Sequence, residues 1–397
     1  MKNHSINTDD LKYISEEVFL QIKNYTISKD DLYVTIAGTI GVTGEVPTEL
    51  DGMNLTENAV KITNIQINKT YLCLIIQSEF VQQQFQDKTH QVAMPKLALE
   101  RILSTLIPVC TITTQSAMVS KFVEMDSLIN QIREEKEILA ETVSLTKSKI
   151  LDLAIRGQLV PQDPNDEPAL VLLERIRAEK EELIKAGKIK RDKKESIIFR
   201  GEDNSYYQQT GTLIENINDW NLDDIPINWE LCCLGEICDY GNCVNVDTKD
   251  IDEEAWVLDL EDIEKDSGKV IHKIRKYERD SSSTKHLFKK GQVLYSKLRP
   301  YLNKVVLADE EGFCTSEILP LNFSNVVEPQ YALYYLMSPT FLKYANRCSY
   351  GVKMPRLGTA DGRKAVFPLP PFEEQRRISQ HISKIFIEID NISNMLL

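Results

Sequence analysis

The sequence lacks most of what would send a chain to a membrane, out of the cell, or into catalysis. No stretch reaches about 18 uncharged apolar residues, which argues against a membrane-spanning helix. Met1 to Asp10 is polar, with no apolar core of an export signal, so a cytoplasmic location is expected. Eight cysteines in 397 residues do not make a disulfide scaffold and suit a reducing compartment. Cys232, Cys233, Cys238 and Cys243 cluster, but without C-x2-C spacing or a nearby histidine, so buried thiols are expected rather than zinc. Only five histidines are present, and none pairs convincingly with a serine or cysteine nucleophile. The glycine-rich run Gly38 to Gly44 has no following lysine, so it reads as turns rather than a phosphate loop. Asp163-Pro164-Asn165-Asp166 follows a helix rather than a strand, which fits no methyltransferase site, and Glu134-Glu135-Lys136 lies on a rod rather than in a nuclease cleft. No catalytic residue, metal or cofactor is expected.

A basic excess is missing too. The net charge is −13, where nucleic-acid binders usually carry a basic footprint. The acidity is uneven, however. Asp247 to Glu264 is strongly acidic, while Lys285 to Lys304 and Lys343 to Lys364 are net basic. Such a chain would touch nucleic acid only through chosen loops.

What is present is a repeat. Residues 29–122 recur in diverged form in residues 289–382, an offset of 260 that separates Lys29 from Lys289, Glu57 from Glu317, Tyr71 from Tyr331, Met94 from Met354, Pro108 from Pro368 and Gln115 from Gln375. That period far exceeds the 20–50 residues of a solenoid, so each copy should be a domain with its own core. In the first copy, β-branched content predicts strands at Asp31–Ala37 and Ala59–Ile65 and a helix at Tyr71–Phe85. In the second, the corresponding segments are Gln292–Leu298, Val305–Ala308, Ile318–Phe323 and a helix at Pro329–Met337. A preceding stretch, Pro226 to Phe288, with strands at Trp229 and Trp256–Leu260, has no room in the first copy, which is expected to lack the beginning of the unit.

Each copy runs into a heptad helix. Between Pro108 and Gly157 there is neither proline nor glycine. A 4-3 spacing from Met118 passes through Phe122, Met125, Ile129, Ile132, Lys136, Leu139, Val143, Thr146, Ile150 and Leu153, all apolar but Lys136 and Thr146. The same spacing in the C-terminal segment collects Ile378, Ile382, Ile385, Ile389, Ile392 and Leu396. The expected partner of each helix is the other, packed antiparallel. Pro168–Ala186 reads as a third amphipathic helix, and the charged stretch from Lys188 to Asn218 as a linker.

The candidate binding residues lie in basic loops. Ser296-Lys297-Leu298-Arg299-Pro300-Tyr301 sets two cations and an aromatic at a strand end. Gly351-Val352-Lys353-Met354-Pro355-Arg356-Leu357-Gly358 is a glycine-bounded cationic loop, and Met94-Pro95-Lys96-Leu97 is its first-copy counterpart. Arg and Lys on such loops suit phosphates and guanine edges. Lys297, Arg299, Lys353 and Arg356 are therefore the expected DNA contacts, with Arg356 reading a base; Lys96 and Thr39 are the weaker first-copy counterparts.

This layout, with the strings Ile150 to Val160, Leu294 to Asn303, Gly351 to Gly362 and Pro368 to Ile378, resembles the specificity subunit of type I restriction-modification systems. The resemblance implies an α+β chain of two α/β target-recognition domains, the first incomplete, joined by long antiparallel coiled-coil helices. It implies a first recognition domain at 1–115, a central helical spacer at 116–190, a linker at 191–218, a second recognition domain at 219–370 and a C-terminal heptad helix at 371–397. It also implies a non-enzymatic subunit that reads a split target in double-stranded DNA and scaffolds modification (methyltransferase) and restriction (ATPase/nuclease) subunits. Docking of the modification subunits is expected through Leu151, Ile155, Leu172 and Ile176. The exit of the first copy, Pro108 to Gln115, departs from the family-like Pro368 to Gln375. A complete variant, one part of a split subunit and a silent recombination cassette are all compatible with this. A coiled-coil adaptor that never touches DNA is the rival reading.

Overall fold

The computed structural model describes residues 6, 11–87, 96–187, 195–203, 205–220, 222, 224–279 and 283–396. Two compact units divide the chain, 1–135 and 136–397.

In the first unit, α1 (Glu16–Ile22) precedes β1 (Leu32–Thr35), β2 (Thr43–Glu45) and β3 (Ala59–Ile62), which form an antiparallel sheet ordered β2-β1-β3. The helices α2 (Lys69–Gln77), α3 (Glu79–Asp87) and α4 (Leu99–Leu103) follow. Leu32 and Val34 of β1 meet Leu72, Cys73, Ile76, Val81 and Phe85 in one apolar core. The single helix expected at Tyr71–Phe85 is two. The chain breaks at Ser78, which is extended (ψ 149°) and returns its N–H to the Ile75 carbonyl. Then α5 (Ile112–Ile155) runs without interruption from this unit into the next.

The second unit continues with α6 (Ala169–Lys185) and an antiparallel sheet of β4 (Ser196–Arg200), β5 (Tyr206–Thr210) and β6 (Leu213–Asn216). This sheet occupies most of the stretch expected to be a linker. Its alternation is masked by polar side chains, and only Ser196, Ile198 and Gln208 of its strands are buried. There follow β7 (Glu230–Cys233), α7 (Leu234–Ile237), β8 (Val244–Val246), β9 (Trp256–Leu258), β10 (Ile274–Arg275) and β11 (Lys285–Phe288). Next come β12 (Val293–Ser296), β13 (Val305–Leu307), β14 (Gly312–Thr315), β15 (Ile318–Leu321), α8 (Pro329–Met337), α9 (Pro339–Cys348), β16 (Ser349–Tyr350), β17 (Arg356–Leu357), α10 (Thr359–Lys364), β18 (Val366–Leu369) and α11 (Phe372–Leu396). A five-stranded sheet, β10-β9-β14-β11-β8, is parallel only between β9 and β14; a second sheet, β13-β12-β15, lies beside a β18-β7 pair.

The repeat is visible in hydrogen bonds. Tyr33 pairs Lys61 and Val34 pairs Val60 in the first sheet, just as Val293 pairs Leu321 and Leu294 pairs Pro320 in the second. The Tyr71 hydroxyl donates to the Pro108 carbonyl at 3.0 Å, and Tyr331 donates to Pro368 at 2.9 Å. The buried Gln115 accepts from the Asn68 N–H at 2.9 Å and donates to the Cys110 carbonyl at 2.7 Å. Gln375, equally buried, accepts from the Glu328 N–H at 2.8 Å and donates to the Pro370 carbonyl at 3.0 Å. In both copies one glutamine ties the helix start after the sheet to the turn that launches the long helix. Among the described residues of the first unit no strands correspond to the five-stranded sheet of the second.

The antiparallel pairing of heptad helices is present in the second unit. Lys147 bonds Asp390 and lies 5.2 Å from the Phe386 ring centroid; further along, Ile155 shares a core with Ile378 and Ile382. Beyond the helix end, Gln162 donates to Glu374 at 2.7 Å and Arg377 pairs with Asp166. From Lys147 against Asp390 to Ile155 beside Ile378, numbers rise on one helix as they fall on the other. Pairing stops there: Met118, Phe122, Met125, Ile129 and Ile132, at the start of the expected seam, are exposed.

Candidate nucleic-acid interface

The second sheet and the β16–β17 hairpin are joined end to end. The Lys297 N–H donates to the Glu317 carbonyl at 3.0 Å, the Leu357 N–H to Lys297 at 3.0 Å, and the Arg299 N–H to Pro355 at 2.7 Å. Four short strands therefore bring together two loops that are far apart in sequence. Loop 297–304 and the hairpin tip 351–355 form one edge, and Lys297, Arg299, Lys353 and Arg356 all sit on it.

Local backbone explains the display. Arg299 (φ 50°) and Asn303 (φ 47°) adopt the left-handed conformation that non-glycine residues avoid, each costing on the order of 1 kcal/mol, and such strain concentrates at functional loops. Asn303 is held there, its side-chain amide donating to the Met337 carbonyl at 3.2 Å. Between the two, Pro300 is buried and turns Tyr301 outward. Gly351 (φ 101°) lets the hairpin turn, and at its tip Val352 has no cover at all, with Tyr350, Lys353 and Met354 also exposed. An exposed Arg and Lys among aromatic and apolar groups is the composition expected of a surface that meets phosphates and base edges.

Arg356 behaves differently from the expectation. Its Nε and Nη2 donate to the two carboxylate oxygens of Glu317, both at 3.0 Å. That fork is the edge that would grip guanine O6 and N7, so Arg356 as a base reader would have to exchange partners. The Arg356 guanidinium holds the Glu317 carboxyl below its usual range, with Lys297 adding to the effect. Glu317 is the residue the sequence reading missed in this site, although its repetition at Glu57 was the available signal.

In the first unit Lys96 is exposed and bridges Ala37, the same strand-end junction, and Thr39 is exposed in the turn after β1. Gly38 (φ 74°) and Gly41 (φ 82°) make that turn. It is shorter than loop 297–304 and lacks its arginine. Met94 and Pro95 lie outside the described residues.

The four residues expected to dock a partner are not at the surface. Leu151 is 4% exposed, Ile155 0%, Leu172 2% and Ile176 9%, all within the core that also holds Trp229, Ile378 and Ile382. An amphipathic stripe looks the same in sequence whether a partner or the chain's own domain covers it. Here the domain does. On α6, Leu170, Val171 and Leu183 are exposed instead.

Burial pushes the Cys232 thiol up, and Cys233 up to about 12, so both are unreactive core groups. Among the described residues no group of His, Cys, Asp or Glu side chains could hold a metal, and no helix is long and apolar enough to cross a membrane.

Residues 226–396, which contain this edge, match the family model of the type I restriction modification DNA specificity domain. The chain is 30% identical over 260 residues to the type I restriction enzyme EcoAI specificity subunit of Escherichia coli, covering 62% of this chain and 40% of that protein. It is 31% identical over 256 residues to the EcoEI specificity subunit of the same organism, with the same coverages. The alignments thus span two-fifths of the length of these relatives. Among solved structures, a chain of a type I R-M system superposes with a TM-score of 0.55 over 93% of this chain and 77% of that one, at 17% identity, which shows a shared fold. Residues 226–396 thus match a type I restriction modification DNA specificity domain, and the chain is similar in sequence to type I restriction enzyme specificity subunits.

Proposed function

We propose that this chain is the DNA sequence-recognition subunit of a type I restriction-modification complex, itself non-catalytic and cytoplasmic. It reads a split double-stranded target and scaffolds modification and restriction subunits. The domain division at 1–115, 116–190, 191–218, 219–370 and 371–397 belongs to the same reading. The observation that carries it is the joined edge on which Lys297, Arg299 and Lys353 converge, inside the segment that matches a DNA specificity domain. Arg299 and Lys353 make the outward contacts, with Lys297 beside them. Arg356, tied to Glu317, holds the hairpin against the sheet. Lys96 and Thr39 are the first-unit counterparts. Modification subunits dock on the spacer helices through exposed groups such as Leu170, Val171 and Leu183, since Leu151, Ile155, Leu172 and Ile176 are consumed internally.

The test is a gel-shift titration of the assembly with its modification subunit on cognate and scrambled duplexes at several salt concentrations. Arg299→Ala is expected to lose about 1–3 kcal/mol of discrimination if it holds a guanine. Lys353→Ala should weaken binding to all duplexes and flatten the salt dependence by about one unit, as a phosphate contact does. If neither variant alters binding to any duplex, the edge is not the DNA face. The adaptor reading, which the uncovered face of α5 favours, predicts no sequence-selective shift at all.

A further inference from the structure

The β16–β17 hairpin carries an apolar side chain at its tip with nothing over it. Val352 is 102% exposed, and Met354, two residues on, is 44% exposed. An isopropyl group held in water forgoes the free energy that burial would give it. The hairpin does not need it there: Gly351 (φ 101°) makes the turn, and Leu357, 1% exposed, anchors the returning strand. The repeat shows what the tip keeps. Val352-Lys353-Met354-Pro355 answers to Val92-Ala93-Met94-Pro95, so the cation has no counterpart while the valine, methionine and proline do. The proline has a task within the loop, fixing its own φ. Val352 has none within the fold.

We infer, on the reading of the joined edge as the DNA face, that Val352 determines specificity by meeting the 5-methyl group of a thymine in the major groove. Three observations carry this. The strands β16 and β17 form a two-stranded antiparallel ribbon, Ser349 opposite Leu357 and Tyr350 opposite Arg356, and such a ribbon is one of the elements that the major groove admits. The thymine methyl is the one methyl group that groove displays, and an apolar side chain is what recognises it. The charge beside the tip suits a polyanion: Arg356 is paired with Glu317, whereas among the described residues Arg299 and Lys353 have no acidic partner. Arg299 is tied to the hairpin through its N–H, which donates to the Pro355 carbonyl at 2.7 Å, so the cations and Val352 approach DNA together. The cations supply attraction to phosphates of any sequence. Val352 adds a preference for one base.

The experiment starts from a duplex selected out of a random pool by the full chain assembled with its modification subunit. Uracil then replaces thymine at one position at a time, which removes only the methyl group. One position is expected to lower the affinity of the parent about fourfold, the worth of one buried methyl-sized group. Val352→Ala should cost at least as much on the thymine duplex and make that position indifferent to uracil. The salt dependence should be unchanged, unlike that of Lys353→Ala. Because Val352 touches nothing in the fold, the variant should keep the melting midpoint of the parent. A Val352→Ala loss that is equal on thymine and uracil at every position overturns the inference, as an apolar wedge between bases would give. So does a variant that binds every duplex as the parent does, or one that no longer co-purifies with the modification subunit, which would make the tip a protein contact. In each of these cases the DNA face itself still stands if Arg299→Ala or Lys353→Ala weakens binding. If no duplex is selected, the reading of the edge fails and Val352 with it.

Discussion

Gln375 offers a sharp test of the repeated architecture. Its side chain is wholly buried and satisfies three backbone groups: it accepts from the Glu328 N–H at 2.8 Å and donates to the Val326 and Pro370 carbonyls, both at 3.0 Å. Gln375→Leu preserves the volume but orphans all three. A buried N–H without a partner costs about 1–3 kcal/mol, and carbonyls, with two lone pairs, tolerate the loss better. The sum is about 2–5 kcal/mol. Gln115→Leu orphans the Asn68 N–H and the Cys110 carbonyl and should cost about 1–4 kcal/mol by the same reasoning. The two effects are separable in one urea titration. All three tryptophans, Trp220, Trp229 and Trp256, belong to the second unit, so their fluorescence reports that unit while far-ultraviolet circular dichroism reports both. Gln375→Leu should shift the tryptophan transition to lower urea. Gln115→Leu should leave it in place and shift only the dichroism. A Gln375→Leu transition displaced by less than about 0.5 kcal/mol would refute the claim that this glutamine locks the helix start to the sheet.

The Glu317–Arg356 pair predicts a pH dependence. Arg356 depresses the folded-state value of Glu317, so the pair's contribution is present above the usual glutamate value of 4.5 and is lost as pH falls through the depressed one. Glu317→Gln should therefore lower the melting midpoint at neutral pH, with the gap to the parent closing in acid; a gap that is constant with pH would count against it. Gly362→Ala should destabilise the second unit by about 1–3 kcal/mol, because a Cβ there would sit 2.2 Å from ring carbons of the buried Tyr240. Tryptophan-monitored unfolding checks this, and an unchanged midpoint would show that the ring moves freely.

The long helices were readable because their signal is local. A 4-3 spacing and a 48-residue interval free of proline and glycine need no knowledge of the rest of the chain, and α5 and α11 form where they demand. The helix expected at Pro329–Met337 forms over those residues, opened by Pro329 and ended by the extended Ser338. The break at Ser78 was harder to see, since no proline follows it as Pro339 follows Ser338. The sheet at 196–216 was missed because its strands bury little, so their alternation carries no hydrophobic contrast.

By itself, the sequence determined the duplication, the heptad rods and which loops carry cations, all of which are written in spacing and residue type. Tertiary structure alone decided what covers each face. A stripe such as Leu151, Ile155, Leu172 and Ile176 is equally apolar under a partner or under its own domain, and only the packing of Trp229, Ile378 and Ile382 against it settles the matter. Likewise, Arg356 is one more loop cation until the chain folds Glu317, 39 residues away, onto its guanidinium edge. That meeting depends on how β12, β15 and β17 register at their ends, a long-range geometry that no local pattern encodes.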